Sequence, residues 1–283
     1  MSDAEKKIQQ EEIDNEIQNS EKSDQVNAKT HGEILKEQIV EGQQTYNRSS
    51  SSILLSSLTA GLEIGFSYLL LCSLGGFLYG KVGPEVIVKA RALVYPIGFI
   101  LVILGQSILF TEQTSLLSLP VLNNKRSVFS LFKLWGTVIF GNLLGGCIMA
   151  VILTWIGGRL HIFTPETVVR IAQHVTAVDN IVIFVSAILA GWLMGLLSWL
   201  LTSSKETISR IVLIFIVTSV MAFTDLHHSI IGNVEVFAGL LNDSSISFWK
   251  YLSFEGLALA GNAVGGVFFV ALLKYRAFVY NVG

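Results

Sequence analysis

The segment Ile208–Leu241 constrains this chain more than any other part of it. As one continuous helix it would reach roughly 50 Å at about 1.5 Å per residue, well past the ~30 Å hydrocarbon layer of a bilayer. It is too long for one plain span. Its middle carries Thr224, Asp225, His227, His228, Ser229, Gly232, Asn233 and Glu235. Ionisable side chains at that depth are costly and face a bundle interior or a water-filled path. The segment therefore reads as a helix interrupted near His228, with its freed backbone groups turned toward a solute pathway.

The rest of the chain supports a multi-pass membrane protein: 52% of residues are apolar and only 14% charged, a balance that fits apolar runs with isolated charges. The charges concentrate at the start, where the first fifty-two residues hold eleven acids and six bases, Asp3 to Arg48. Nothing in this balance suggests nucleic-acid binding. The opening residues are polar and acidic with no apolar core, unlike a cleavable signal peptide. Residues 1–33 are expected to be an acidic, disordered cytoplasmic tail. Residues 34–50 space their few apolar residues on one helical face, as in an amphipathic helix on the cytoplasmic interface or in a solvated linker. Cys72 and Cys147 fall in apolar runs and read as packing residues, without a disulfide or zinc pattern.

Six hydrophobic regions follow, at about Ile53–Tyr79, Val86–Leu122, Phe129–Ile156, Asn180–Leu201, Ile208–Leu241 and Phe248–Tyr275. The second is overlong like the fifth, and it too is interrupted, by Gln106, Ser107, Thr111, Glu112, Gln113, Thr114 and Ser115. The third and sixth share G-x4-G-N-x2-G-G, from Gly136 and Gly256, and the first and fourth share A-G-x3-G, from Ala60 and Ala190. Close helix packing explains glycines of this kind. It does not explain Asn142 and Asn262 at matching places. The chain thus reads as an all-α membrane protein of three spans repeated once, 53–160 and 180–276, joined by an external linker at 161–179. Because three is odd, the second copy crosses in the opposite sense, and matching broken spans in an inverted repeat point to a substrate pathway at the midplane. Lysines and arginines favour the side holding Lys125, Arg126, Lys205, Arg210, Lys274 and Arg276, which places both termini in the cytoplasm by the positive-inside rule.

LFTEQT at Leu109–Thr114, HSIIGN at His228–Asn233, the paired G-N-x2-G-G motifs and the six-span inverted repeat together resemble the formate/nitrite transporter family, over about Ile34 to Tyr275. F-T-E-x-T and G-x-V-E at Gly232–Glu235 are similar to a less characterised bacterial branch of it. The resemblance implies an aquaporin-like protomer with its own pore, a homopentamer, and transport of a small weak acid such as formate or nitrite across the cell (inner) membrane, with no cofactor and no metal. It further implies a pathway threonine at Thr111, a central pore histidine at His228, an apolar constriction at Leu109 and Phe110, and wall positions at Tyr95 and Phe99. Some positions depart from the best-known formate channels. His227 stands for the acid before the pore histidine, Glu112 for a serine after the loop threonine, and Gly191 for an asparagine of the fourth span. Their basic linker residue has His174 as its nearest counterpart.

An apolar constriction opposes a carboxylate by about 20 kcal/mol in the idealised Born limit and by several after relaxation. Protonating an acid of pKa near 4 at pH 7 costs only roughly 4 kcal/mol. Histidine suits such a proton exchange, because its charge changes close to neutral pH. Glu112 and Glu235 either tie the breaks by accepting backbone N–H bonds or relay protons, and repulsion of an anion argues for the first. Asp225 is expected to pair with His227 or to orient His228, and Asn142 and Asn262 to hold loop backbone. Glu63 and Glu255 lie in spans with their facing left open. Two other readings remain: an intramembrane enzyme, opposed by the lack of any nucleophile or metal motif, and an aquaporin-like pore for neutral solutes.

Overall fold

The computed structural model describes residues 3–19 and 29–282, and every regular element among them is helical. Five stretches are long and apolar enough to cross a membrane: Ser50–Leu78, Pro84–Leu104, Val128–Gly157, Asn180–Ser203 and Phe248–Tyr280. The remaining crossing is shared by two shorter apolar helices, Thr207–Phe223 and Ser229–Asn242. In chain order the helices are α1 (Asp3–Asn19), α2 (His31–Asn47), α3 (Ser50–Leu78), α4 (Pro84–Ala90), α5 (Pro96–Leu104), α6 (Phe110–Leu122), α7 (Val128–Gly157), α8 (Pro165–Val175), α9 (Asn180–Ser203), α10 (Thr207–Phe223), α11 (Ser229–Asn242), α12 (Phe248–Gly266) and α13 (Leu273–Val282). A 3-10 turn, Arg91–Leu93, joins α4 to α5, and a π-turn, Val267–Leu272, joins α12 to α13. The second span is thus α4–α5 followed by α6, and the fifth is α10 followed by α11.

Local chemistry sets many of these starts. Serines at positions 49, 127 and 247 cap α3, α7 and α12, each accepting a hydrogen bond from the amide three residues on, and so satisfy one of the amides a helix leaves free at its first turn. Proline opens α4, α5 and α8, where its missing N–H costs nothing.

The two repeats are held by glycine. Spans one and three, α3 and α7, pack against each other as α9 and α12 do in the second copy. At Gly61 an added Cβ would lie 2.2 Å from the Asn142 carbonyl oxygen, and at Gly191 2.1 Å from that of Asn262. Both obstacles are backbone, so neither can swing aside. Gly191→Ala must therefore push α9 off α12. We expect a loss of about 1–3 kcal/mol or more by overpacking, read as a lower melting temperature of the purified protein, and no change in melting would contradict this packing. The perimeter is apolar, with Phe129 and Trp249 largely exposed, as a hydrocarbon surround requires.

The tail differs from expectation, and two further outer segments gain definition. The tail expected to be disordered contains α1, because Ile13 and Ile17, one helical turn apart, bury against Ile34, Leu35, Tyr275 and Val279. Gln10 also donates to Asn123 at 2.9 Å, and Lys125 pairs with Asp14. Residues 20–28 of that tail lie outside the described residues. Second, α2 is no solvated linker. Thr30 and Glu33 form a reciprocal capping box at its start, Gln38 donates to the Ser198 carbonyl (3.1 Å) and the Thr202 hydroxyl (2.8 Å) of α9, and the Tyr46 hydroxyl donates to the Leu117 carbonyl of α6 at 2.9 Å. Third, the linker after span three is mostly α8, an amphipathic helix with Thr167, Val168, Ile171 and Ala172 buried and packed on α11 and α3.

Candidate functional site

The two breaks are built alike. Helix α5 ends with Gln106 at φ 59° and α10 with Asp225 at φ 54°, the left-handed conformation of a helix C-cap, here in two residues other than glycine. The next amide closes the cap in each case: Ser107 N donates to the Val102 carbonyl and Leu226 N to the Met221 carbonyl, both at 3.0 Å. The chain then runs extended through Leu109 and His228, and α6 and α11 begin one residue later.

Asn142 and Asn262 latch these links. The Asn142 side chain accepts from Phe110 N and donates to the carbonyls of Ser57 and Ile108, all at 2.8 Å. The Asn262 side chain accepts from Ser229 N (2.8 Å) and donates to the carbonyls of Ala187 (2.8 Å) and His227 (3.1 Å). Ser56 and Ser186 add a further matched pair, accepting from Ile108 N (3.1 Å) and His227 N (3.0 Å). These serines extend the repeated motif to S-x3-A-G-x3-G, which the sequence reading passed over. The bonds to Phe110, Ile108, Ser229 and His227 serve backbone that an interrupted helix would leave unpaired in a membrane, and those to Ser57 and Ala187 fasten it to α3 and α9.

At the junction Thr111 and His228 meet, Oγ1 to Nε2, at 2.6 Å, both fully or almost fully buried. Among the described residues His228 Nδ1 has no hydrogen-bond partner. Phe99 lies edge-on to the imidazole with centroids 5.0 Å apart, and Tyr95 stacks on Phe99 at 5.2 Å. Leu109 is fully buried at the place in the first break that His228 holds in the second. The Phe110 ring sits edge-on to Trp135 of α7, centroids 5.5 Å apart. Half-helices α6 and α11 start here from opposite sides, so the positive ends of two helix dipoles converge on the Thr111–His228 pair.

A cavity opens on either side of this pair. One, about 880 Å3, lies on the side of α2 and is lined by Glu112, Gln113, Ser198, Arg210 and the polar face of α2. The other, about 630 Å3, is reached from the α8 side and ends on His228, with Arg91, Tyr95, Ile231 and Glu235 in its walls.

The polar groups around the second break pair differently from expectation. Asp225 faces His174 of α8, Oδ1 to Nε2 at 3.3 Å, because its left-handed backbone turns it toward the cavity mouth. His227 is instead held by the Ser186 hydroxyl (2.9 Å) and the Val175 carbonyl (3.0 Å). Nor do the carboxylates of Glu112 and Glu235 tie the breaks. The asparagines and serines already take those amides. Glu112 accepts from the Gln113 side chain at 2.8 Å, and the two glutamates line opposite cavities. Asn233 joins α11 to its neighbours, donating to the Leu143 carbonyl (3.1 Å) and accepting from the Tyr251 hydroxyl (2.7 Å). Among the described residues Glu255 is buried without a partner, and Arg91 is 7% exposed on the cavity wall. Among the described residues no group of three or more His, Cys, Asp or Glu is placed to hold a metal ion.

A family model described as formate/nitrite transporter matches residues 32–276. The inner membrane protein YfdC of Escherichia coli (strain K12) is 33% identical over 244 residues, covering 83% of this chain and 74% of that protein. Among solved structures, an FNT family ion channel superposes with a TM-score of 0.78 at 23% identity, over 86% of this chain and 98% of the channel. A pentameric formate channel with formate bound superposes at 0.70 and 20% identity, over 81% and 98%.

Proposed function

The chain belongs to the formate/nitrite transporter family, and on that premise we propose that it is a channel or secondary transporter for small monovalent weak-acid anions such as formate or nitrite, with a proton exchanged at His228. The family is one of transporters and channels, not of enzymes. The observation that carries the proposal is the 2.6 Å contact between Thr111 and His228, where two opposed half-helices meet between two cavities. An anion entering from either side is drawn by the half-helix N-termini, loses its charge by taking a proton at the histidine, and passes the apolar residues Phe99 and Leu109 as the neutral acid. Thr111 holds the imidazole and offers the acid a hydroxyl in its place. The proton returns on the far side, so the net species moved is the anion or the anion with its proton, according to where His228 is recharged.

In this reading the side bearing α1 and α2 is cytoplasmic, with both termini inside the cell (inner) membrane, and five protomers assemble, as they do in the pentameric formate channel whose fold this chain shares. Repeats 53–160 and 180–276 then act as the two walls of one pore. The test is a substrate panel in proteoliposomes. Labelled formate and nitrite should be taken up unchanged, and uptake should rise when the lumen is made alkaline. Consumption of the label would favour an enzyme, and uptake of neutral solutes indifferent to a pH difference would favour an aquaporin-like pore.

A further inference from the structure

Arg91 presents a physical problem that no described neighbour solves. It sits on the 3-10 turn between α4 and α5, which is fastened from both sides: the Ser219 hydroxyl of α10 donates to the Ala92 carbonyl at 2.8 Å, and the Ser67 hydroxyl of α3 donates to the Tyr95 carbonyl at 2.5 Å. The side chain is more than nine-tenths buried, its Nε has no hydrogen-bond partner, and among the described residues it forms no ion pair. A buried donor left without a partner costs about 1–3 kcal/mol, more on a charged group. It opens on the cavity that ends on His228.

The same cavity carries one carboxylate deep on its wall, Glu235. Residues 228, 231, 232 and 235 recur at helical spacing, so one face of α11 leads from the imidazole to this carboxylate. Arg91 and Glu235 both line this one cavity. Among the described residues they form no ion pair with each other, so neither charge satisfies the other directly.

We propose that Arg91 and Glu235 form an anion-exchange site, in which a small carboxylate or nitrite-like oxyanion displaces the pull of Glu235 on the Arg91 guanidinium before it reaches His228. The forked donors of arginine match a planar oxyanion. A tethered carboxylate competing for the same cation keeps the guest from binding too tightly to leave, a condition of conduction. Arg91 thus binds the anion and Glu235 sets its affinity, and the site rests on the reading that weak-acid anions use this pathway.

The experiment titrates the purified full chain with sodium formate at pH 7.5, chloride holding the ionic strength constant, and follows the melting temperature alongside formate uptake in proteoliposomes. Wild type should show a formate-specific rise in melting temperature, since a ligand of the folded state stabilises it. Arg91→Met should lose that rise and need about tenfold more formate for half-maximal uptake, whereas Glu235→Gln should need about tenfold less for a half-maximal shift and turn over more slowly. If Arg91→Met does not fold, as judged by size-exclusion elution, Glu235→Gln decides alone. Absence of a formate-specific shift in wild type, or unchanged titrations in both variants, overturns the site. Should wild type bind formate through Arg91 and yet transport none, the site stands and the transport reading fails.

Discussion

Replacing His228 with phenylalanine will cut formate uptake at pH 7 by roughly 100-fold, the equivalent of about 3 kcal/mol on the barrier, and will leave what remains dependent on the undissociated acid alone. The substitution keeps an aromatic ring against Phe99, whose edge now meets the imidazole at 5.0 Å, so packing around the pathway is largely preserved. What disappears is the group able to exchange a proton at the junction. The Thr111 hydroxyl also loses its 2.6 Å partner, and a buried hydroxyl without a partner costs about 1–3 kcal/mol. Charged substrate then meets an apolar plug with no means of neutralisation. Uptake by the variant should fall about tenfold for each unit of pH above the substrate's own pKa, the slope of the neutral fraction, where wild type should hold up toward neutral pH. Counter-flow of labelled formate in proteoliposomes from pH 5 to 8 measures both. Uptake by His228→Phe that follows the wild-type profile would exclude the imidazole from the transport step.

The architecture was legible in the sequence because membrane physics leaves few choices. A segment too long for one crossing and polar in its middle must break, and finding two of them in matching places, with G-N-x2-G-G repeated 120 residues apart, leaves little besides an inverted repeat. The structure adds what each asparagine does: it satisfies an amide and a carbonyl of the adjoining link and ties them to a carbonyl of α3 or α9. The sequence could place Thr111 on one break and His228 on the other, but not state that they touch. Pairings among charged groups were out of reach for the same reason. Asp225 is two residues from His227 and fifty-one from His174, yet it is His174 that it faces, since the left-handed turn at Asp225 and the position of α8 decide the matter. The tail helix escaped notice because its apolar side chains buried among the described residues are Ile13 and Ile17, set in an otherwise polar segment, and the surface that covers them is assembled from α2 and α13. Glu235 and Arg91 are informative only together, which requires the fold that brings α11 opposite the 3-10 turn.

Asn262→Leu should be the most damaging single substitution short of a backbone clash. Leucine has the branching and the heavy-atom count of asparagine, so most of the cost comes from polar groups, with its bulkier methyls adding to it. Ser229 N–H loses its acceptor, and the His227 carbonyl its donor, in a fully buried setting; at about 1–3 kcal/mol for each group left unpaired, the loss is roughly 2–6 kcal/mol. That converts to a melting temperature lower by about 10 °C for a chain of this size. Because these bonds hold the residues on either side of His228, the imidazole should also lose its alignment with Thr111, and formate uptake per folded protein should drop together with stability. Asn142→Leu is the control. It breaks the matching latch on Phe110 and Ile108 and should destabilise by a similar amount, but it acts on the Leu109 link and leaves the backbone at His228 anchored, so the pH profile of its residual uptake should stay nearer to wild type. If both variants melt alike and their pH profiles also match each other, the latches support the fold equally and neither positions the histidine. If only the profile of Asn262→Leu moves, the second latch has a role in transport that its counterpart lacks, which is how a repeat that is symmetric in its backbone can carry an asymmetric site.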